Sequence, residues 1–379
     1  MKKILFNNSY VAKDSIEYIK STLASKKISG DGYYGKKCEE IIQKKLKTSN
    51  PILLTTSCTH ALEMCAISLN IKKNDEIIVP AYTFSSTALA FYMHGAKIVF
   101  TDIRNDTLNI DENLLEKQVN KKTKAILVVH YGGVACEMDK IMNIAKKNNL
   151  IVIEDNAHGF LGKYKGKPLG TIGHLATLSF HETKNISCGE GGALIINDSK
   201  FYERSLIIRE KGTDRSKFIR GHVNKYTWVD KGSSYAISDI LASLLYSQLK
   251  QTRLIQSKRK KIWEKYHKEL VEWAESNKYF LPVIPNKIDS AYHLFFVILR
   301  SKKDRYNFIN YLARYNIIST FHYQALDTTP MGKKIKLGRQ KFCYNANFCS
   351  ERIIRLPIYP DLSDKDQNFV IEKIKNYPI

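Results

Sequence analysis

The alternation of short β-branched runs with helical stretches between about residues 50 and 200 constrains the fold of this chain more than any other feature. The candidate strands are Pro51–Leu54, Glu76–Val79, Lys97–Phe100, Ala125–His130, Leu150–Glu154, Thr177–Phe180 and Ala193–Ile196. Strands separated by helices form a parallel sheet with crossover helices, and ligands bind at the carboxyl ends of such strands. The pattern therefore predicts an α/β protein with a mainly parallel central sheet.

The pattern changes after about residue 250, where strands and helices no longer alternate regularly. Apolar residues spaced by three and four predict a long helix just before this point: Ile237, Ile240, Leu241, Leu244, Leu245 and Leu249. Beyond Gln251, extended runs and helices lead to a predicted terminal helix over Ser363–Ile374. A chain of 379 residues is long enough for two domains. We expect a large α/β domain over residues 1–250 and a smaller C-terminal α+β domain over residues 251–379.

Charge, cysteine content and hydropathy argue against several classes of protein. A formal charge of +23 would attract nucleic acid or a membrane surface, but the basic clusters lack interleaved aromatic residues and any nucleic-acid-binding motif. The seven cysteines show neither a disulfide framework nor zinc-ligand spacing. No apolar run reaches membrane-spanning length, and the first residues become polar too soon for a signal peptide. We expect a cytoplasmic protein without a metal site that binds neither nucleic acid nor membranes.

A lysine and an acid follow two of the predicted strands. Lys184 lies in the run Ser179–Asn185, just after one strand, and Asp155 follows the end of an earlier one. Pyridoxal phosphate (PLP) needs such a pair, because an amine binds its aldehyde and a carboxylate keeps its ring nitrogen protonated. A single lysine beside a glycine turn is more commonly a surface residue. Here phosphate-binding and ring-stacking candidates also occur in a sensible order, so we predict a PLP site with Lys184 and Asp155 as catalytic residues.

The role of Asp155 can be inferred from the size of its charge interaction with the cofactor ring. Opposite charges about 4 Å apart gain about 4 kcal/mol at an effective dielectric near 20, which corresponds to roughly three pKa units. That is enough to keep a pyridine nitrogen protonated at neutral pH. Glu154 is the adjacent alternative, but successive strand residues point to opposite faces of a sheet. We expect Asp155 to face the cofactor and Glu154 to point to the back of the sheet.

Two further segments could hold the phosphate and the ring of the cofactor. The run Thr55–Leu62 follows the first strand and opens a helix, where backbone N–H groups and hydroxyls form an anion cradle. Such Ser/Thr runs are equally good helix caps. Phe84 comes just after another strand and could stack on the pyridine ring, although a Phe in that place is usually part of the core.

Taken together, these segments resemble the DegT-type nucleotide-sugar aminotransferases, a branch of the fold-type I, aspartate aminotransferase-like PLP enzymes. The resemblance extends from Ser29–Gly32 to Arg355–Pro360. The longest matches are Ser179–Asn185, His130–Asp139, Lys225–Trp228, Arg209–Thr213 and Gly232–Tyr235. Within the family the matches are closest to the branch that makes dTDP-4-amino-4,6-dideoxygalactose. The resemblance implies a fold-type I PLP-dependent transferase with a mainly parallel central sheet.

The resemblance also implies roles for the residues around the cofactor ring. Lys184 would carry the covalent link to PLP, Asp155 would contact the ring nitrogen, and Phe84 would stack on the ring. A dehydratase branch of the same family has His in place of this lysine. Here Lys184 is present and His181 is a separate residue, so amino transfer is favoured over dehydration.

The remaining cofactor contacts are implied in the same way. Cys58 and Thr59 would cradle the phosphate, helped by Ser179. His158 occupies the place where relatives commonly have Gln, near the ring hydroxyl, and its protonation state stays open. In many members an Asn-bearing segment reaches the phosphate of the neighbouring subunit. Here Gly232–Tyr235 replaces it, and Ser234 is the candidate for that contact.

The implied activity is a ping-pong transfer of an amino group from L-glutamate to C4 of a dTDP-linked 4-keto-6-deoxyhexose, in a homodimer with shared active sites. The expected product is dTDP-4-amino-4,6-dideoxy-D-galactose, as in O-antigen, lipopolysaccharide or enterobacterial common antigen synthesis. The loop Arg209–Asp230 has the basic and aromatic content that a diphosphate and a base require; a solvated surface loop is the alternative. A gluco product, a C3 keto-sugar substrate and a non-catalytic sensor are the alternatives. No carboxylate-binding arginine can be chosen from spacing.

Overall fold

A computed structural model describes residues 3–337 and 341–378 of the chain. Its strands are β1 (Ile52–Thr55), β2 (Glu76–Pro80), β3 (Lys97–Thr101), β4 (Thr123–Val129), β5 (Ile151–Asp155), β6 (Lys163–Tyr164), β7 (Lys167–Pro168), β8 (Leu175–Ser179), β9 (Gly192–Ile196), β10 (Ile288–Asp289), β11 (Phe295–Ile298) and β12 (Ile353–Leu356).

Its α-helices are α1 (Ser15–Ser25), α2 (Tyr33–Leu46), α3 (Cys58–Ser68), α4 (Ser85–Tyr92), α5 (Glu112–Gln118), α6 (Met138–Lys147), α7 (Tyr202–Arg209), α8 (Arg215–Ile219), α9 (Asp239–Lys250), α10 (Thr252–Ser276), α11 (Lys302–Arg314), α12 (Pro330–Ile335), α13 (Tyr344–Arg352) and α14 (Asp364–Lys375). Short 3₁₀ turns lie at Tyr131–Gly133, Ser199–Phe201 and Leu326–Thr328.

Seven strands form the central sheet, in the order β1-β9-β8-β5-β4-β2-β3. Every neighbouring pair from β8 to β3 is parallel, whereas β9 runs antiparallel to both β1 and β8. The predicted α/β class and mainly parallel sheet are therefore confirmed. The direction of β9 follows from its connection to β8, which contains no crossover helix.

Helices cover both faces of this sheet. Along β2, Ile77 and Val79 pack into one core with residues of α3 and α4, and Ile78 between them packs into another core with α6. Residues from α2 and α9 pack beside β1, β8 and β9 on the same face as α6. Burial on both faces explains why these strands are continuous apolar runs and do not alternate with polar residues. It also leaves the strand ends as the place for polar chemistry.

The later part of the chain has its own core. Trp263 of α10 packs edge-on against Phe295 of β11, their ring centroids 5.5 Å apart, and helices α11 and α14 complete the cluster. Near the other end of the chain, Ile4 belongs to this core and forms a parallel bridge with Ile317. The apolar stripe predicted near residue 250 lies on α9, except for Ile237, which precedes this helix, and α10 begins two residues after α9 ends. The domain boundary at residue 250 remains a prediction. None of the described helices has the length and apolar character to cross a bilayer.

Candidate active site

A cavity of about 650 Å³ lies where β5 and β8 end and α3 and α4 begin. Its walls include residues of the predicted cofactor site: Cys58, Thr59, Phe84, Asp155, His158, Ser179 and Lys184. Ser234 lies outside these walls. It is exposed, and its backbone forms a bridge with Glu210. The structure therefore brings together the residues that separate sequence segments nominated, apart from the one expected to serve a neighbouring subunit.

Lys184 lies in a tight loop after β8. Its backbone N–H donates to the carbonyl of His181 at 2.9 Å, and the N–H of Glu182 donates to Gly189 at 2.8 Å across the loop. Lys184 lines the cavity, and burial of its side chain, which removes hydrating water, lowers its pKa to about 8. A substantial fraction of the amine is therefore neutral near physiological pH. A neutral amine is the form that attacks a carbonyl carbon and accepts protons.

Asp155 is the last residue of β5 and is held by two hydrogen bonds. Thr87 donates to its Oδ2 at 2.7 Å, and the backbone N–H of Ala157 donates to its Oδ1 at 3.2 Å. Burial raises the pKa of the Asp155 carboxyl, and the hydrogen bonds and nearby Lys184 act in the opposite direction. A cation placed beside this carboxyl would favour its charged form. The side chain is thus fixed in position and suited to pair with a protonated ring nitrogen.

The neighbouring acid, Glu154, is held differently. Its carboxylate accepts from three backbone N–H groups of the turn over residues 170–173 at 2.6 to 2.8 Å and lies 2.9 Å from Nε2 of His130. Burial alone would raise the pKa of Glu154, but His130 and these N–H groups keep it below its usual value. Asp155 lines the cavity and Glu154 does not. Asp155 and Glu154 therefore point in opposite directions, as predicted.

The first turn of α3 forms the proposed phosphate end of the cavity. Ser57 caps this helix, and its first two residues, Cys58 and Thr59, line the cavity with their backbone N–H groups at the start of the helix. The Thr59 hydroxyl lies 2.8 Å from that of Ser86. A Cβ at Gly192 of β9 would come within 2.4 to 2.6 Å of the Ser57–Cys58 backbone. Only glycine therefore allows β9 to approach this helix start, whose N–H groups and dipole favour an anion.

Phe84 immediately precedes α4, and 56% of it is exposed. It lines the cavity, and its ring centroid lies 5.9 Å from that of Tyr323. Such exposure contradicts the alternative that Phe84 is an ordinary core residue. An aromatic face open to a cavity is suited to stacking on a planar ring. Its role as the ring stack remains a prediction.

His158 is a buried residue of the cavity wall. Its Nδ1 accepts the backbone N–H of Gly132 at 3.3 Å, and its Nε2 lies 3.0 Å from the hydroxyl of Tyr323. The imidazole of His293 stacks on it, with centroids 4.2 Å apart. Burial, and then the charge of Lys184, lower the pKa of His158 well below its usual value. The imidazole is therefore neutral under physiological conditions.

Nine of the residues that line the cavity come from the C-terminal part and were not anticipated from the sequence, among them His293, His322, Tyr323 and Arg355. Arg355 lies on β12, next to the extended segment that contains Tyr323. Burial lowers the pKa of its guanidinium. Its Nε is buried and has no hydrogen-bond partner among the residues that the structure describes. Spacing along the chain carries no signal for these side chains, because tertiary packing alone brings them to the sheet edge.

The donor set of the cavity fits PLP. An amine of lowered pKa, a fixed carboxylate and a capped helix start are the groups that its aldehyde, ring nitrogen and phosphate require. When bound, PLP supplies an electron sink for charge developing at the carbon next to the nitrogen. Lys184 would hold its aldehyde end, Asp155 its ring nitrogen, and Cys58 and Thr59 its phosphate. Lys184 is also placed to move a proton at that carbon.

Comparison with known proteins agrees with this site. The DegT/DnrJ/EryC1/StrS aminotransferase family matches residues 9–375. GDP-perosamine synthase of Escherichia coli O157:H7 is 30% identical over 365 residues, which cover 95% of this chain and 94% of that protein. The spore coat polysaccharide biosynthesis protein SpsC of Bacillus subtilis is 32% identical over 327 residues, which cover 84% and 83% of the two chains.

A solved structure gives the same result. The putative sugar aminotransferase Spr1654 of Streptococcus pneumoniae, in its PLP form, superposes with a TM-score of 0.89 and 26% identity, covering 99% of this chain and 98% of that one. The predicted fold-type I architecture, the PLP cofactor and the aminotransferase class are therefore confirmed.

Proposed function

This chain belongs to the DegT/DnrJ/EryC1/StrS family of PLP-dependent sugar aminotransferases, and from that premise we propose a specific reaction for it. L-Glutamate donates an amino group to C4 of dTDP-4-keto-6-deoxy-D-glucose, and the product is dTDP-4-amino-4,6-dideoxy-D-galactose. The observation that carries the transferase chemistry is the shared cavity of Lys184, Asp155 and the start of α3. The branch resemblance of the motifs supports the C4 position and the galacto configuration.

The glutamate donor is supported by Arg355. Arg355 is the arginine that lines the cavity among the described residues. Its Nε has no hydrogen-bond partner in the described part of the chain and can therefore donate to a carboxylate. Planar guanidinium groups bind carboxylates through paired hydrogen bonds that are stronger than neutral ones. An amino acid bound there would present its amino group near Lys184. We assign Arg355 to a carboxylate of glutamate.

The sugar nucleotide is proposed to contact the loop Arg209–Asp230. Trp228 in this loop is 81% exposed, which leaves its ring free to stack on a base. The loop has six Lys and Arg side chains, among them Arg215, Lys217 and Lys225, which suit a diphosphate. The loop does not line the cavity of its own chain within the described residues. To contact a sugar nucleotide in a cavity, the loop would therefore have to reach the cavity of another subunit. The proposal accordingly includes a homodimer in which the loop and Ser234 complete the site of the partner.

A GDP-linked keto sugar is the second candidate substrate. The observation in its favour is the relative at 30% identity, GDP-perosamine synthase, whose name states a GDP-linked sugar. The base-binding groups of the loop do not distinguish thymine from guanine by charge alone. We retain dTDP as the proposal because the motifs that carry the branch resemblance, such as Ser179–Asn185 and His130–Asp139, are long and specific. We also propose a cytoplasmic location and a role in surface polysaccharide synthesis.

The test begins with the visible spectrum of the purified protein before and after glutamate is added. Bleaching of the bound-cofactor absorbance by glutamate, but not by glutarate, supports the donor half of the proposal. The protein is then incubated with the dTDP- and GDP-linked 4-keto-6-deoxy sugars in parallel. A small H3–H4 coupling in the NMR spectrum of the dTDP product indicates an axial amine and the galacto configuration. A large coupling would refute that configuration, and turnover of the GDP sugar alone would refute dTDP. Light scattering that finds an active monomer would refute the dimer.

A further inference from the structure

We propose that Tyr323 donates a hydrogen bond to an oxygen of the bound ligand, and that His158 acts as a positioning residue for it. The inference rests on the proposed function, because the ligand in question is PLP or its keto-sugar substrate. It differs from the role expected of His158, in which the imidazole itself contacts the ring hydroxyl of the cofactor.

The tautomer of His158 follows from geometry. A backbone N–H can only donate, so the contact at 3.3 Å from the N–H of Gly132 requires that Nδ1 of His158 carries no proton. The imidazole is therefore neither protonated at Nδ1 nor doubly protonated, and its single proton is on Nε2. That N–H donates to the hydroxyl oxygen of Tyr323, 3.0 Å away. Both ring nitrogens are thus used inside the protein.

The hydroxyl of Tyr323 is oriented by this contact with His158. Its oxygen accepts from His158, so its own proton must point in another direction. Within the described part of the chain this hydroxyl has no second hydrogen bond, and Tyr323 lines the cavity. Phe84 lies on one side of it, at a centroid distance of 5.9 Å. The geometry leaves the cavity as the direction in which Tyr323 donates.

The surroundings of Tyr323 keep it protonated. Burial raises the pKa of its hydroxyl well above the usual value, and the nearby Asp155 and Cys58 act in the same direction, whereas Arg355 opposes them. His322 stacks on the tyrosine ring at a centroid distance of 3.7 Å. A phenol that stays protonated across the working pH range is a constant donor.

A chain of contacts also fixes the imidazole relative to the catalytic lysine. His293 stacks on His158, and its Nδ1 lies 3.0 Å from Oδ1 of Asn185, the residue next to Lys184. The side-chain amide of Asn185 donates to the carbonyl of Ala291 at 2.7 Å, so its oxygen faces His293. The lysine loop and the imidazole that orients Tyr323 are therefore connected through one hydrogen bond and one ring stack. Such rigidity is what a positioning group needs.

The proposed acceptor is an oxygen of the ligand that lies close to the reacting carbon when the ligand is bound. Two ligand oxygens share this chemistry: the phenolic oxygen of PLP and the carbonyl oxygen of the keto sugar. A hydrogen bond to the first stabilises its anionic form, and one to the second polarises the carbonyl toward attack by an amine. The two sources predict different defects when the donor is lost.

The test compares the holoenzyme with Tyr323→Phe, which removes only the hydroxyl. Tyr131→Phe is the matched control, because it deletes a buried hydroxyl that contacts His322 at 2.6 Å but that does not line the cavity among the described residues. Thermal melting establishes that each variant is folded. The readouts are the pH midpoint of the visible spectrum without substrate and the single-turnover rate of each half-reaction.

If the phenolic oxygen of PLP is the acceptor, the spectral midpoint of Tyr323→Phe rises by about one pH unit, a tenfold change in equilibrium. If the sugar carbonyl is the acceptor, the midpoint stays and the keto-sugar half-reaction slows about tenfold or more. His158→Phe should show the same defect in weaker form, and the double variant should be no worse than Tyr323→Phe.

Equal midpoints and rates, within about twofold, for Tyr323→Phe and the wild type would overturn the inference, and so would an equal defect in Tyr131→Phe. Additive defects in the double variant would overturn the positioning role of His158. Failure of the proposed function looks different, because the wild-type protein itself would then show no spectral response to glutamate.

Discussion

Replacement of Asp155 by Asn tests the electrostatic core of the site. The change removes the charge and keeps the shape, but it also turns one oxygen into an NH₂ group. Both oxygens accept hydrogen bonds, from Thr87 at 2.7 Å and from the N–H of Ala157 at 3.2 Å. An asparagine can keep both contacts, because its oxygen accepts from Ala157 and its NH₂ group donates to the hydroxyl of Thr87, which also accepts hydrogen bonds. The variant therefore loses the charge and little else. The ring nitrogen then has no anion to hold its proton.

The expected loss can be estimated from the charge alone. A charge pair about 4 Å apart gains about 4 kcal/mol at an effective dielectric near 20. Part of this is realised in the ground state, so we expect at least about 2.7 kcal/mol to appear in the barrier, or about a hundredfold. Stopped-flow spectroscopy of the glutamate half-reaction measures proton removal directly. Replacing the charge should slow this step without abolishing cofactor binding, because Lys184 and the start of α3 are unchanged.

Glu154→Gln is the control, since it neutralises the adjacent acid of the same strand. Glu154 accepts from three backbone N–H groups of the turn over residues 170–173. Its replacement should lower the melting temperature and leave the rate per folded molecule nearly unchanged. A near-normal half-reaction in Asp155→Asn would refute the role of the charge. An equal rate loss in both variants would show that any neutralised acid at the end of β5 has this effect.

Three further predictions follow from the same contacts. In PLP-free protein, Lys184→Met should be more stable than the wild type at pH 7 by up to about 3 kcal/mol, because the folded pKa of Lys184 is about 8 and its ordinary value is 10.5. The gap should shrink as the pH rises from 8 to 10.5, since the wild type gains stability there; a gap that does not change with pH in urea titrations contradicts the lowered pKa. Gly192→Ala should weaken PLP binding at least about tenfold in a titration, because the added Cβ meets the Ser57–Cys58 backbone at 2.4 Å. Gly35→Ala is the control: its added Cβ has its nearest contact at 3.5 Å, and this variant should bind PLP normally. Arg355→Gln should raise the KM for glutamate about tenfold or more and leave the keto-sugar half-reaction intact; unchanged glutamate kinetics would remove Arg355 from the donor site.

Local sequence predicted the sheet and the residues at its strand ends. Asp155, Lys184 and the helix start at Cys58 each follow directly from a strand, so knowing the sheet is enough to bring them together. Arg355 and Tyr323 could not be found in this way, because they reach the cavity from segments more than 130 residues beyond Lys184. Their placement depends on how the C-terminal part docks, and no periodicity reports that. Gly192 was visible in a glycine-rich run, but the backbone it accommodates was not.

The bridge between Ile4 and Ile317 has a consequence for how the protein is made. Ile4 accepts the N–H of Ile318 at 2.9 Å and donates to the carbonyl of Asn316 at 2.9 Å. During synthesis Ile4 emerges from the ribosome some 300 residues before Asn316 and Ile318. The C-terminal core can therefore close only at a late stage, and residues near Ile4 must stay unpaired until then. Trimming this short segment would be expected to harm the half of the molecule that is synthesised last.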